Sequence, residues 1–336
     1  MKIAIHHNLG SFSDLWIKYC EDNQIPYKIV NCYDNDIVKY LEDCSALIWH
    51  HSHSNYKDAL FAKQLLYSLE QSGKKVFPDF NTSWHFDDKV GQKYLLESIQ
   101  APFVPTYVFY TKKEALEWTD ATIFPKVFKL RNGAGSSNVK LIKNKKKAIS
   151  VINKAFGRGF RHNDYLGLSL DSFKKLLKGR AAFRDIIKYL ALFFLPSKFG
   201  VNFFSNSKGY VYFQDFIPNN KFDIRIIVIS SKAFAIQRMV RENDFRASGS
   251  GQIIYEQNEI PIQCVQIALN ISKKLNIQCM AYDFVFTQSN FPLIVEMSYG
   301  FTAVGYDKCT GYWSDDFVWH QGQFNPYGWM VEYLTN

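Results

Sequence analysis

The sequence predicts an α/β protein: a small parallel domain at the N-terminus, followed by α+β lobes. Three observations carry this expectation. Short apolar runs alternate with helical stretches up to Phe77. The alternation then stops near "FPDFNTSWHFDDK". Beyond Lys208 the chain is rich in strand-like runs with a single strong helical pattern among them.

In order, "KIAI" (Lys2–Ile5), "YKIV" (Tyr27–Val30), "ALIWH" (Ala46–His50) and "KKVF" (Lys74–Phe77) read as strands. Helical stretches from Ser13 to Asn23 and from Asp58 to Ser72 lie between them, which implies βαβ units. "DDKVGQKYLLESIQAP" reads as a helix capped by Asp87 or Asp88 and ended by Ala101-Pro102. "TYVFY" follows as a strand and "KKEALEW" as a short helix. "PKVFKL" and "NVKLI" are two strands joined by a glycine loop, an antiparallel hairpin. The segment 171–195 spaces Phe173, Leu176, Leu177, Phe183, Ile186, Ile187, Leu190 and Phe194 as an amphipathic helix, with Lys174, Lys175, Lys178 and Arg180 on other faces. It reads as a packed helix with a basic side, or as one lying on an anionic membrane surface. The strands "YVYFQDFI", "FDIRIIVIS", "KAFAIQRMV", "CMAYDFVFT" and "FPLIVEMS", with the helix "PIQCVQIALNISKKLN", make a second lobe.

The 336 residues are 47% hydrophobic and 21% charged, which suits a globular chain with a substantial core. A formal charge of +9 favours an anionic partner, and no DNA- or RNA-binding motif accompanies it. The N-terminus has no continuous apolar stretch, so no signal peptide is expected. Six cysteines without CxxC spacing read as reduced thiols of a cytoplasmic protein rather than as a zinc site.

Chemistry concentrates in a few segments. Asp283 in "AYDFVF" and Glu296 in "LIVEMS" lie on strands joined by a turn, so both acids can share one face. Two buried acids side by side suit a hard divalent cation. Asp223 and Arg225 fall on one strand face, and Arg238, Arg241 and Arg246 follow. "KLRNGAGSSNV" is no P-loop, because its lysine precedes the glycines and the loop joins two strands. His50, His51 and His53 end a parallel strand, where they read as surface residues, as the rim of a substrate entrance or, with no companion ligands evident, least of all as a metal site. Tyr306, Asp307, Trp313 and Trp319 read as packing or as an aromatic platform for a sugar.

From about Trp84 to Gly300 these motifs, in this order, resemble the ATP-grasp superfamily, notably its ribosomal-protein glutamate ligase and D-alanine–D-alanine ligase branch. "DFRASGSG" and "EMSYGF" further resemble ATP-grasp proteins of bacterial surface-polysaccharide biosynthesis. The resemblance implies a pre-ATP domain (1–83), a central helix region (84–125), a small lobe (126–216) and a large lobe (217–336), the lobes clasping ATP. Lys89 and Lys129 would meet phosphates. Gly133, Ala134, Gly135, Ser136 and Ser137 would cover them, and Gln214, Asp215, Phe216 and Ile217 would form the adenine hinge. Asp223 would approach the ribose or nearby cations, and Arg225 and Arg246 the γ-phosphate and an acyl-phosphate. Asp283 and Glu296 would hold Mg²⁺, with Ser298 standing where the family usually has asparagine. The implied activity is ATP-dependent joining of a carboxylate, in the polysaccharide setting an acidic sugar of a surface glycan, to an amino acid or ammonia. Dimers are common in that superfamily, and the sequence leaves the oligomeric state open. A kinase using the same nucleotide site, or a nucleotide-binding scaffold at the inner membrane face, are the alternatives.

Overall fold

A computed structural model of the chain describes residues 1–133, 138–161, 187, 206–241, 245–247 and 251–335. Strands β1 (Ile3–His6), β2 (Tyr27–Val30), β3 (Ala46–Ile48) and β4 (Lys75–Phe77) alternate with helices α1 (Phe12–Asp22), α2 (Ile37–Tyr40) and α3 (Tyr56–Gln71). The strands form one parallel sheet in the order β2-β1-β3-β4. Every residue of β1 and β3 is buried, as expected of parallel strands covered on both faces. Ser11 caps α1 by accepting from the Ser13 N–H, and Asn55 caps α3 by accepting from Lys57.

The next elements are α4 (Phe80–Ser83), α5 (Lys89–Ser98), β5 (Thr106–Phe109), α6 (Lys112–Ala121), β6 (Lys126–Lys129), β7 (Lys140–Ile142), α7 (Lys145–Ala155) and β8 (Val211–Asp215). Asp88 caps α5, its Oδ1 accepting from Gly91 at 2.9 Å. The strands pair antiparallel in the order β5-β8-β6-β7, with β6 and β7 forming the expected hairpin.

The remainder comprises β9 (Phe222–Ile229), β10 (Lys232–Met239), β11 (Ile253–Ile254), α8 (Ile262–Lys274), β12 (Cys279–Phe286), β13 (Pro292–Ser298), β14 (Gly311–Trp313), β15 (Trp319–Gln321) and α9 (Pro326–Thr335). Its sheet runs β13-β12-β9-β10-β14-β15, with β11 also paired to β10. Ile224, Ile226 and Val228 pack with Val265 and Ala268 of α8 on one face. Ile227 and Ile229 point the other way, into a core shared with Ile3, Ile5, Trp16 and Met330.

Contacts divide the chain into two compact units. The larger holds residues 1–86, 95–103 and 218–336, and the smaller holds 87–94 and 104–217. Several elements are absent from the sequence expectation. Helix α7 opens with Lys145, Lys146 and Lys147 and no acid, the reverse of a good first turn. Helix α9 is buried nearly all round, so no amphipathic stripe marks it. Tyr306 and Trp313 are core residues, whereas Asp307 is exposed and Trp319 half-buried. Apart from the exposed Ile187, the helix expected over 171–195 lies outside the described residues, as do Ala134, Gly135, Ser136 and Ser137. Among the described residues no helix is long and apolar enough to cross a membrane.

Candidate functional site

In the smaller unit, the alternation of β6 and β8 separates two faces. Phe128 and Phe213 enter a core with Ala115 of α6 and Ile152 of α7. Lys129 and Gln214 fall on the opposite face, where Lys129 Nζ donates to Gln214 Oε1 at 2.7 Å. Gln214 Nε2 in turn donates to Thr106 Oγ1 at 3.2 Å. Asp215 turns the other way and pairs with Lys126, whose ammonium also lies 4.8 Å from the Tyr107 ring centroid. The Asp215 N–H donates to the Pro105 carbonyl at 2.9 Å.

A second cluster forms where α5 begins. Lys89 Nζ donates to the Gly133 carbonyl at 2.7 Å, and Lys89 N–H to the Arg131 carbonyl at 3.0 Å. Lys89 and Lys129 are each 5% exposed. Burying ammonium groups is costly, and in this unit it is repeated. Its described residues carry sixteen Lys and Arg against six Asp and Glu, a surplus suited to an anionic ligand.

In the larger unit, four charges gather on the face of the central sheet that also carries Ile227 and Ile229. Arg225 grips Asp283 through two bonds, Nε to Oδ1 at 2.7 Å and Nη2 to Oδ2 at 2.8 Å. Arg238 grips Asp223 in the same way at 2.6 Å twice, and reaches Asp283 Oδ2 at 2.9 Å. Burial opposes ionisation of Asp283, but Arg225 and Arg238 offset it and hold the carboxyl well below its usual range. Burial likewise works against the Arg225 charge, and Asp283 more than restores it. Glu296 is the direct cross-strand neighbour of Asp283, just before a register shift, and Ser298 stands opposite Ala281. The Arg246 carbonyl accepts from the Arg241 N–H at 3.1 Å. Among the described residues no group of three or more His, Cys, Asp and Glu forms a ready metal site. Asp283 and Glu296 are the neighbouring acidic oxygen donors of this cluster, with both Asp283 oxygens engaged by Arg225 and Arg238.

The histidines depart from the surface reading. His51 is buried between Phe86 and Tyr299, and His50 stacks on Phe12 with centroids 3.7 Å apart. In the sequence Arg238 stands out only as one of a run of arginines, and Asp87 and Asp88 only as helix caps. The pairing of Arg238 with Asp223 needs the β9–β10 register, which no local pattern reveals.

Residues 201–312 match the RimK-like ATP-grasp domain family. No curated protein matches the sequence. Among solved structures, a RimK domain ATP-grasp protein from Sphaerobacter thermophilus DSM 20745 is similar over 100% of both chains, at 13% identity and a TM-score of 0.57. D-cycloserine synthetase DcsG is similar over 100% of this chain and 99% of its own, at 11% identity and a TM-score of 0.61. D-alanine–D-alanine ligase from Bacillus anthracis is similar over 89% of this chain and 86% of its own, at 16% identity and a TM-score of 0.52. At these identities the likeness is one of fold.

Proposed function

We propose that this chain, whose residues 201–312 match the RimK-like ATP-grasp domain and whose fold is shared with ATP-grasp structures, is an ATP-dependent carboxylate–amine ligase. The observation that carries this reading is the buried pair Lys89 and Lys129, in a unit with a large cationic surplus. In this proposal both lysines bind ATP phosphates, with Gly133, Ala134, Gly135, Ser136 and Ser137 beside them. Gln214, Asp215, Phe216 and Ile217 take the adenine, and Asp223 the ribose side.

A carboxylate is a poor acylating agent because its leaving group would be an oxide. Attack of a carboxylate oxygen on the γ-phosphorus of ATP releases ADP and forms an acyl-phosphate. An amine nitrogen then attacks the acyl carbon, phosphate departs with the C–O bonding pair, and the amine proton passes to solvent. Arg225 and Arg246 would neutralise charge on the phosphoryl group and on the tetrahedral oxyanion. Mg²⁺, when bound by Asp283, Glu296 and Ser298, would supply further neutralisation of the phosphates. Serine is a shorter ligand than asparagine, so its side is the looser one.

The acid we propose is a uronic acid of a bacterial surface glycan or its precursor, joined to an amino acid or ammonia. Support comes from the resemblance of "DFRASGSG" and "EMSYGF" to polysaccharide-linked ATP-grasp proteins. The proposal places the enzyme, as a homodimer, in the cytoplasm, with 171–195 touching anionic lipid at the inner face.

The test combines the protein, Mg²⁺-ATP, a panel of uronic acids and hydroxylamine. Trapping of an acyl-phosphate as a hydroxamate, with ADP release, is the expected outcome. ADP release with phosphate found on a hydroxyl, and no hydroxamate, would replace the ligase with a kinase.

A further inference from the structure

Asp87, Asp88 and Lys89 are tied to Arg131, Asn132 and Gly133, the residues that lead into the glycine-rich stretch. The Gly133 N–H donates to Asp87 Oδ1 at 2.6 Å, and Asn132 Nδ2 donates to the Asp87 carbonyl at 2.6 Å. Arg131 Nη2 meets Asp88 Oδ2 at 2.5 Å, while the Arg131 N–H donates to Tyr210 Oη at 2.7 Å. Gly133 is thus held at both ends by opposite charges: its N–H by the Asp87 carboxylate and its carbonyl by the Lys89 ammonium. Gly133 has φ 116°, which only glycine adopts freely, and Asp87 itself is left-handed at φ 55°.

We propose that Asp87 is a positioning residue for the nucleotide: its carboxylate accepts from the Gly133 N–H, and a bound phosphate oxygen takes that donor in its place. The inference rests on the ATP reading above. Carboxylate and phosphate oxygens are equivalent acceptors for a main-chain N–H in a glycine turn. A phosphate attracted by Lys89 competes for Gly133 and repels Asp87. Binding is then an exchange of one anion for another, and Asp87 lowers ATP affinity by competing for its donor. A purely structural anchor predicts the opposite sign, because loosening the segment would weaken binding.

The sign is read by calorimetry on the full chain with ATP and with adenosine, which lacks phosphates. Asp87→Asn keeps the shape, tolerates the left-handed backbone and removes the charge. A charge-assisted bond reduced to a neutral one should tighten ATP about fivefold, with adenosine unchanged. Asp87→Gly also accepts the backbone and removes the acceptor, so it should tighten ATP at least as much. Weaker or unchanged ATP binding in both variants, or equal shifts for ATP and adenosine, overturns the proposal. Failure of the unsubstituted chain to bind ATP would overturn the nucleotide reading itself, together with this inference.

Discussion

Histidines 6, 50 and 51 show how burial sets the charge of a single residue. His6 Nδ1 accepts from the Cys32 N–H at 2.9 Å, and His50 Nδ1 from the Phe12 N–H at 3.3 Å, so both rings must be neutral to keep these bonds. Burial lowers both, each to about 4, and holds fully enclosed His51 well below its ordinary value. An unfolded chain takes up these protons near 6.5 and the folded chain does not. Stability is therefore greatest above 6.5 and falls as pH drops toward 4. Buried Asp58 and Asp79, raised by desolvation, act in the opposite sense, but nearer the carboxylate range. Thermal unfolding should accordingly drop in midpoint from pH 7 to pH 5. His51→Phe keeps a ring against Phe86 and Tyr299 while removing one titration, and should flatten the slope. A profile equally steep in that variant would count against the account.

Helix α9 illustrates how an element with little local signal is held by its contacts. It packs against α1, far away in sequence: Tyr19 Oη donates to Glu332 Oε1 at 2.6 Å. The two helices come so close that a Cβ on Gly328 would lie 2.4 Å from Tyr19 Cε2 and 2.8 Å from Cδ2. Gly328→Ala would force the ring aside and strain the bond to Glu332. The expected cost is about 1–3 kcal/mol, seen as a lowered melting temperature with the secondary structure retained. An unchanged melt would mean that α9 is not seated on α1. By contrast β12 and β13 announce themselves locally, and their pairing brings Asp283 to Glu296 as expected from the short turn between them.

Across the whole chain, the six cysteines are all buried and free. Desolvation pushes Cys20 up to about 11 and Cys264 and Cys309 up to about 12, and drives Cys32 and Cys279 higher still. Thiolate is the reactive form, so burial and proton affinity both protect them. In native buffer at pH 8 a thiol reagent should modify none of them rapidly, and all six should react once the chain is denatured. Rapid labelling of one or more under native conditions would contradict this core.

Much of the architecture was legible in the amino-acid order. The βαβ start follows from apolar runs alternating with helical ones, and the β6–β7 hairpin from two strand patterns flanking glycines. An aspartate cap on α5 at 87 or 88 and Asp283 beside Glu296 follow from spacing, because cap and hairpin geometry are local, while the structure selects Asp88 as the cap. Tertiary structure decided the rest. Asp223 with Arg238, Arg225 with Asp283, Lys129 with Gln214 and Asp87 with Gly133 are pairings between segments distant in sequence, set by strand register and packing. Periodicity says which face a side chain takes, but not what stands opposite it. The same limit applies to His50 and His51, whose residue type suggested surface and whose neighbours placed them against Phe12, Phe86 and Tyr299.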